Sequence, residues 1–345
     1  MKDLIRKLVE AWGPSGYEHQ VRELIQAEVA GLADEVTVDP LGNLICRVGR
    51  GGPKIMVAAH MDEIGVMPTF VERSGYLRFA PIGGLLPSTL LGNRVRFEDG
   101  TIGVIGVHDA WGASRTTLPD LDSFYIDVSD GEGIAVQPGS PAAFWRTMDE
   151  RGTRLIGKSM DDRISCAIAI EAMRRLNRRT PNEVYFVFTV QEEVGLRGAR
   201  PAAYGIAPDI GIALDVTATG DELKNHRMAV KLGGGTAIKL HDPGLVVPPA
   251  IRDWMVGRAQ TDGIPHQLEL LAGGTTDAAG IQTARAGVPS GCISTPCRYL
   301  HTVSETVDLR DVEAGVQLLT GLLSNPADVL SLIHISEPTR LLSIS

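Results

Sequence analysis

Two short stretches limit what this chain can fold into. Ile55-Met56-Val57-Ala58-Ala59 and Val184-Tyr185-Phe186-Val187-Phe188-Thr189-Val190 are apolar almost without interruption. A strand with one wet face alternates apolar and polar side chains, so runs lacking that alternation read as strands covered on both faces. The first run delivers His60-Met61-Asp62 at its carboxyl end and the second delivers Glu192-Glu193. Two adjacent carboxylates at the mouth of a buried strand raise each other's pKa and resist leaving water, so they call for a positive neighbour.

The segments around these runs carry helical spacing. Leu4, Ile5, Leu8 and Val9 share one helix face, and Gly13-Pro14-Ser15-Gly16 ends that helix. Val21, Leu24, Ile25 and Val29 line a second helix from about Glu18 to Ala30. Asp39-Pro40-Leu41-Gly42-Asn43 reads as a turn between strands Glu35–Val38 and Leu44–Val48. Further helices are expected from about Asp162 to Leu176, near Pro249 to Gln260, after Thr275, and from Leu309 to Leu323. Strands are expected at Asp209 to Leu214, near Gln267 to Leu271, and at Val288 to Ser294. Strands alternating with helices predict an α/β fold with a mostly parallel sheet flanked by helices on both faces.

Between Val66 and about Leu155 the texture changes. Gly and Pro are frequent, the runs are short and alternating, as in Arg94-Val95-Arg96-Phe97, and no amphipathic helix is evident. The chain is therefore expected to divide into a discontinuous domain of residues 1–66 and 156–329 and an inserted all-β domain of residues 67–155. Ser331 to Ser345 resembles a translated sequencing adapter, so residues 330–345 are read as a non-native tail and His334 is not counted as a ligand.

Composition narrows the function classes. The 345 residues are long enough for one large α/β domain with a smaller companion, and a net charge of −9 without a Lys/Arg cluster argues against nucleic acid or an anionic membrane as partner. No apolar run reaches transmembrane length and Met1 to Glu10 lacks a signal-peptide layout, so a cytoplasmic address is expected. Cys46, Cys166, Cys292 and Cys297 show no paired CxxC spacing, which excludes a structural zinc knuckle and predicts reduced core thiols.

Sheets of this kind place ligands at the carboxyl ends of their strands. Those ends hold His60 and Asp62, Glu192 and Glu193, and Asp215. His301 follows in a later loop, and Asp161 and Asp162 lie at a helix start. Each signal has an ordinary structural explanation: a buried histidine satisfied by an aspartate, a helix cap, two solvated glutamates. Together, three carboxylates and two imidazoles form a ligand set for two divalent ions of the zinc or cobalt type with one carboxylate bridging. The four positive charges of such a pair balance Asp161, Glu193, Asp215 and a bridging hydroxide. Glu192 is then left beside the ions as a general base for that water, and Asp62 can hold the second ring nitrogen of His60.

Two other chemistries fit the residues less well. A glycosidase needs carboxyl groups about 5 to 9.5 Å apart across a sugar bond, which sequence neighbours reach awkwardly. Gly152-Thr153-Arg154-Leu155-Ile156-Gly157-Lys158-Ser159 matches a phosphate-loop pattern. Yet Leu155-Ile156 reads as a strand within it, and Asp161 and Asp162 put negative charge where a helix end should attract phosphate.

Taken in order, Gly13-Pro14-Ser15-Gly16-Tyr17-Glu18, Ala58-Ala59-His60-Met61-Asp62-Glu63-Ile64-Gly65, Gly157-Lys158-Ser159-Met160-Asp161-Asp162-Arg163, Gln191-Glu192-Glu193-Val194-Gly195 and Arg298-Tyr299-Leu300-His301-Thr302 resemble the successive motifs of the tetrahedral (TET) aminopeptidases, dinuclear metallopeptidases that include glutamyl aminopeptidase and cellulase M. The likeness spans about Met1 to Leu323. It implies a zinc-peptidase-like catalytic domain and an inserted β-barrel-like dimerisation domain. It also implies dimers assembling into a hollow dodecamer that admits short peptides. Asp161 would bridge two ions, His60 and Asp215 would complete one site, and Glu193 and His301 the other. Glu192 would be the base and Asp62 the orienting acid. Thr302-Val303-Ser304 stands where Thr-Pro-Val is usual, and Gly274-Thr275-Thr276-Asp277 is one Thr longer than the common Gly-Thr-Asp; neither departure touches a proposed ligand. A related dinuclear deacylase or carboxypeptidase, and a metal-binding scaffold without activity, remain as rival expectations.

Overall fold

The computed structural model describes residues 1–73, 75–108, 119–128, 136–223 and 227–327. The expected tail at 330–345 and His334 lie outside these residues. The amino-terminal helices α1 (Lys2–Glu10) and α2 (His19–Glu28) lead into strands β1 (Glu35–Val38), β2 (Leu44–Val48) and β3 (Lys54–His60). Along β3 successive side chains divide between the two faces: Ile55, Val57 and Ala59 join one core and Met56 and Ala58 another. That division is the physical content of a non-alternating apolar run.

The chain then forms strands β4 (Gly65–Val71), β5 (Tyr76–Ile82), β6 (Arg94–Phe97), β7 (Ile102–Val107), β8 (Phe124–Asp127) and β9 (Ala142–Phe144), which close into a barrel in the order β4-β5-β8-β7-β6-β9. Val66, Leu77, Val95, Ile105 and Ile126 fill it. Closure pairs both lateral edges, so this module needs no outer helix layer. The next two strands, β10 (Asp149–Arg151) and β11 (Arg154–Gly157), form a hairpin belonging to the large sheet, where Leu155 is buried.

Helix α3 (Met160–Leu176) is followed by β12 (Glu183–Thr189), α4 (Ala199–Ile206), β13 (Ile210–Thr217), β14 (Thr236–Asp242), β15 (Leu245–Val246), α5 (Pro249–Thr261), β16 (His266–Leu270), α6 (Asp277–Gln282), β17 (Ser290–Arg298), β18 (Glu305–Asp308) and α7 (Leu309–Leu323). The large sheet runs β1-β2-β12-β3-β13-β17-β18-β11-β10, with β14 branching from β17 and carrying β15 and β16. Pairing is parallel through β12, β3, β13 and β17, and also between β14 and β16. The other pairs run antiparallel, so the parallel character expected for the whole sheet belongs to its centre. On one face the large core includes α1, α3 and α7 side chains such as Leu8, Ile168 and Leu319; on the other, Ala199, Ala202 and Ile281 of α4 and α6 pack against Met56 and Val187.

The expected helix Leu309–Leu323 matches α7 at both ends, because Asp308 caps it by accepting from the Arg310 N–H. Strand β13 runs to Thr217, so Asp215 sits inside the strand. Strand β17 likewise continues past Ser294 to Arg298.

Candidate metal centre

The order of the central strands assembles the site. In the parallel register Thr189 lies opposite His60, and β13 is the neighbour of β3 on its other side. His60 at the end of β3, Glu192 and Glu193 just beyond β12, and Asp215 near the end of β13 therefore emerge side by side. Asp161 arrives from the first turn of α3, where Asp161 and Asp162 depart from helical dihedrals and the peptide between them is cis. Ser159, which precedes the helix, makes no side-chain cap, and Asp162 Oδ2 accepts the His60 N–H at 3.3 Å. His301 comes from the turn after β17, with a φ of 57°.

Two triads result. His60, Asp161 and Asp215 form one and Asp161, Glu193 and His301 the other, and within each the nitrogen and carboxylate donor atoms lie within 4.8 Å of one another. Asp161 belongs to both. Its Oδ1 is 3.0 Å from His60 Nε2 and its Oδ2 is 3.4 Å from His301 Nε2. His301 Nε2 is also 3.4 Å from Glu193 Oε2.

The far side of each imidazole is occupied. His60 Nδ1 lies 3.2 Å from the Asp62 carbonyl oxygen and 3.3 Å from Asp62 Oδ1, and His301 Nδ1 lies 2.8 Å from the Gly84 carbonyl oxygen. Acceptors at both Nδ1 positions fix the proton there and aim the Nε2 lone pairs at the carboxylates, as metal-ligating histidines require. Gly84 follows the barrel strand β5, so the inserted module completes the His301 side of the site. A Cβ there would come within 3.1 Å of His301 Nδ1, which explains a glycine at this close approach.

Asp62 is fully buried and accepts three further hydrogen bonds: from Glu192 N–H at 3.0 Å, Glu193 N–H at 3.2 Å and Ser15 Oγ at 2.6 Å. It holds the imidazole and the glutamate turn together. Glu305 does the same on the other side, accepting the N–H of Asp161 at 3.0 Å and of His301 at 2.9 Å.

Electrostatically, the protein alone leaves the site strained. Burial pushes Glu192, Glu193 and Asp215 well above the ordinary carboxylate range, and neighbouring carboxylates add to it. Burial opposes charge on His60, yet hydrogen bonding to Asp161 and Asp62 lifts it well above its usual value. For His301 the same opposition is overcome by Asp161 and Glu193, to about 10. Asp161 is held below its ordinary range, since hydrogen bonds from His301 and His60 outweigh its burial. Glu193 Oε1 is buried without a hydrogen-bond partner among the described residues. A donor set of this chemistry, with a shared carboxylate and an orphaned buried oxygen, fits divalent cations.

Glu192 is in neither triad. It lines the cavity beside them, with Oε2 3.9 Å from His60 Nε2.

The phosphate-loop pattern is not a nucleotide site. Its residues form the turn and second strand of the β10–β11 hairpin, and Lys158 is buried, donating to Glu63 Oε2 at 2.7 Å, Ser159 Oγ at 2.9 Å and Ala11 O at 3.1 Å. The four cysteines are free and buried, as expected. Among the described residues no helix is long and apolar enough to cross a membrane.

Sequence reasoning passed over Glu305, Asp277 and the partners of Lys158. Asp277 is buried, accepts from Thr189 Oγ1 at 2.5 Å, and is raised to about 6 by its burial. In the sequence it reads only as the end of the Gly-rich turn Gly273-Gly274-Thr275-Thr276-Asp277. Glu305 carried no signal, since its role depends on two backbone groups brought near by the fold.

The M42 glutamyl aminopeptidase family model matches residues 42–318. The lysyl aminopeptidase of Pyrococcus furiosus is 37% identical over 338 residues, 93% of this chain and 96% of that protein. Among solved structures, aminopeptidase APDkam598 of Desulfurococcus kamchatkensis superposes with a TM-score of 0.91 at 37% identity, covering 98% of each chain. The TET1 peptidase of Pyrococcus horikoshii, described as assembling into a tetrahedron or a large octahedral shell, gives 0.84 at 32% identity, covering 93% of this chain and 98% of that one. With motif order, fold and sequence in agreement, the chain belongs to the M42 glutamyl aminopeptidase family.

Proposed function

We propose that this aminopeptidase removes N-terminal residues from short peptides with two divalent ions per subunit, zinc or cobalt. His60, Asp161 and Asp215 would hold one ion, and Asp161, Glu193 and His301 the other. The observation that carries the reading is the pair of triads sharing Asp161, with Glu192 beside them and bonded into neither. When bound, such ions polarise a peptide carbonyl and lower the pKa of water.

The chain's own residues would then do the following. Glu192 accepts a proton from the attacking water and returns it to the departing amine; its burial raises its proton affinity, which suits a group that must take and give a proton near neutrality. Asp62 keeps Glu192 in place through the Glu192 N–H and keeps His60 in the tautomer that offers Nε2.

The inserted barrel of strands β4 to β9 is proposed as the dimerisation domain, with dimers assembling into a dodecamer in the cytoplasm. Support comes from the assemblies named for the Pyrococcus horikoshii relative. Light scattering of the purified chain tests the assembly. Activity is tested by chelation: dialysis against a chelator should abolish release of N-terminal residues, and zinc or cobalt should restore it at two ions per chain. Full activity in a metal-free preparation would contradict the proposal.

A further inference from the structure

The cavity above the two triads, about 530 Å³, is large enough for the end of a peptide. Among the described residues lining it, the ionisable side chains are those of Asp161, Glu192, Glu193, Asp215 and His301, all assigned above to ion binding or proton transfer. Much of the remaining wall is hydrocarbon. Leu86 follows the Gly84 loop and Leu300 precedes His301. Leu196 follows the glutamate turn, Val216 and Ala218 flank Thr217 beyond Asp215, and Leu271 ends the β16 segment.

Charges do lie behind this wall, but they are closed to a ligand. Lys239, Glu269 and Asp242 are fully or almost fully buried; Lys239 pairs with Glu269 and lies 3.4 Å from Asp242. Thr217, which lines the cavity, donates its hydroxyl to Glu269 Oε1 at 2.8 Å, so that buried oxygen is already engaged by Thr217 and Lys239. Lys239 is therefore unavailable to a substrate carboxylate, and Glu269 is unavailable to a substrate ammonium.

We propose that the cavity selects uncharged, apolar N-terminal side chains and rejects both acidic and basic ones, despite the glutamyl and lysyl activities named for the family and for one relative. The inference rests on the aminopeptidase reading. A glutamyl side chain entering the cavity would leave a carboxylate against leucines and near Glu192. A lysyl side chain would either lose hydration without a partner or pair with Glu192 and withdraw the proton acceptor.

The test is a comparison of kcat/KM for leucyl-, norleucyl-, lysyl- and glutamyl-p-nitroanilides on the metal-reconstituted chain. Norleucine matches the lysine stem without its charge, so the pair isolates charge from size. The expected result is that leucyl and norleucyl substrates exceed lysyl and glutamyl ones by about tenfold or more. A smaller margin, or a preference for either charged residue, overturns the inference while leaving the aminopeptidase reading intact. Absence of turnover on all four overturns that reading and the inference with it.

Discussion

The backbone N–H of Glu192 donates to Asp62 Oδ1 at 3.0 Å, tying the proposed proton acceptor to a residue two positions beyond a proposed metal ligand. The same carboxylate receives the Glu193 N–H and faces His60 Nδ1. One buried side chain thus sets the geometry of three functional groups. In Asp62→Asn an amide would offer a single acceptor oxygen and place a donor against N–H groups. Activity is expected to fall by about ten- to a hundredfold with weaker metal retention, in line with losses of groups that orient ligands. Steady-state kinetics and metal analysis on one preparation check this, and unchanged values in both would remove Asp62 from the positioning role.

In the absence of ions His60 and His301 are raised, His301 to about 10, and Glu192, Glu193 and Asp215 are raised as well. The metal-free site therefore holds protons near neutrality, and ions must displace those on their ligands. Binding should release protons, and affinity should rise with pH up to about the His301 value and weaken as acid is added. With at least one proton released, apparent affinity grows about tenfold per pH unit. Titration with zinc in lightly buffered solution at about pH 6 and 8 measures it; equal affinities would contradict the electrostatic picture.

Glu63 is buried between Lys158 at 2.7 Å, Arg163 at 3.3 Å and the Ser159 hydroxyl at 2.6 Å. Burial already presses the Lys158 ammonium down to about 8. Lys158→Met should leave Glu63 undercompensated and cost about 3–5 kcal/mol, whereas Lys158→Met combined with Glu63→Gln should recover part of that loss. Chemical unfolding at fixed protein concentration distinguishes the cases. If the double variant were as unstable as the sum of the singles, the two residues would not be acting as a pair.

Much of the sheet was legible because burial leaves a mark on sequence. The runs behind β3 and β12 lack alternation, and the strand ends they predict carry His60 and the glutamate pair. Helix α7 was legible to the residue because its cap and its apolar period coincide. Strand β14 was not: Lys239 interrupts its apolar pattern, and the lysine's fitness for the core depends on Glu269 and Asp242, which only the fold brings near. Helix α4 is only eight residues long and holds Pro201 and Gly205, which read as loop punctuation. Glu305 stayed hidden because its two partners are backbone N–H groups on other segments. The hairpin β10–β11 was assigned to the insertion, since short alternating strands look alike whichever sheet they join.

The central claim divides the labour of two adjacent glutamates, and one paired measurement tests it: metal content and turnover on the same samples of Glu192→Gln and Glu193→Gln. Glu192→Gln should retain two ions per chain and lose about a hundredfold or more in kcat, because a group that only moves protons has been removed. Glu193→Gln should lose an ion, since an amide replaces a charged donor in the triad with Asp161 and His301. Full turnover by Glu192→Gln, or loss of its ions together with activity, would contradict the account.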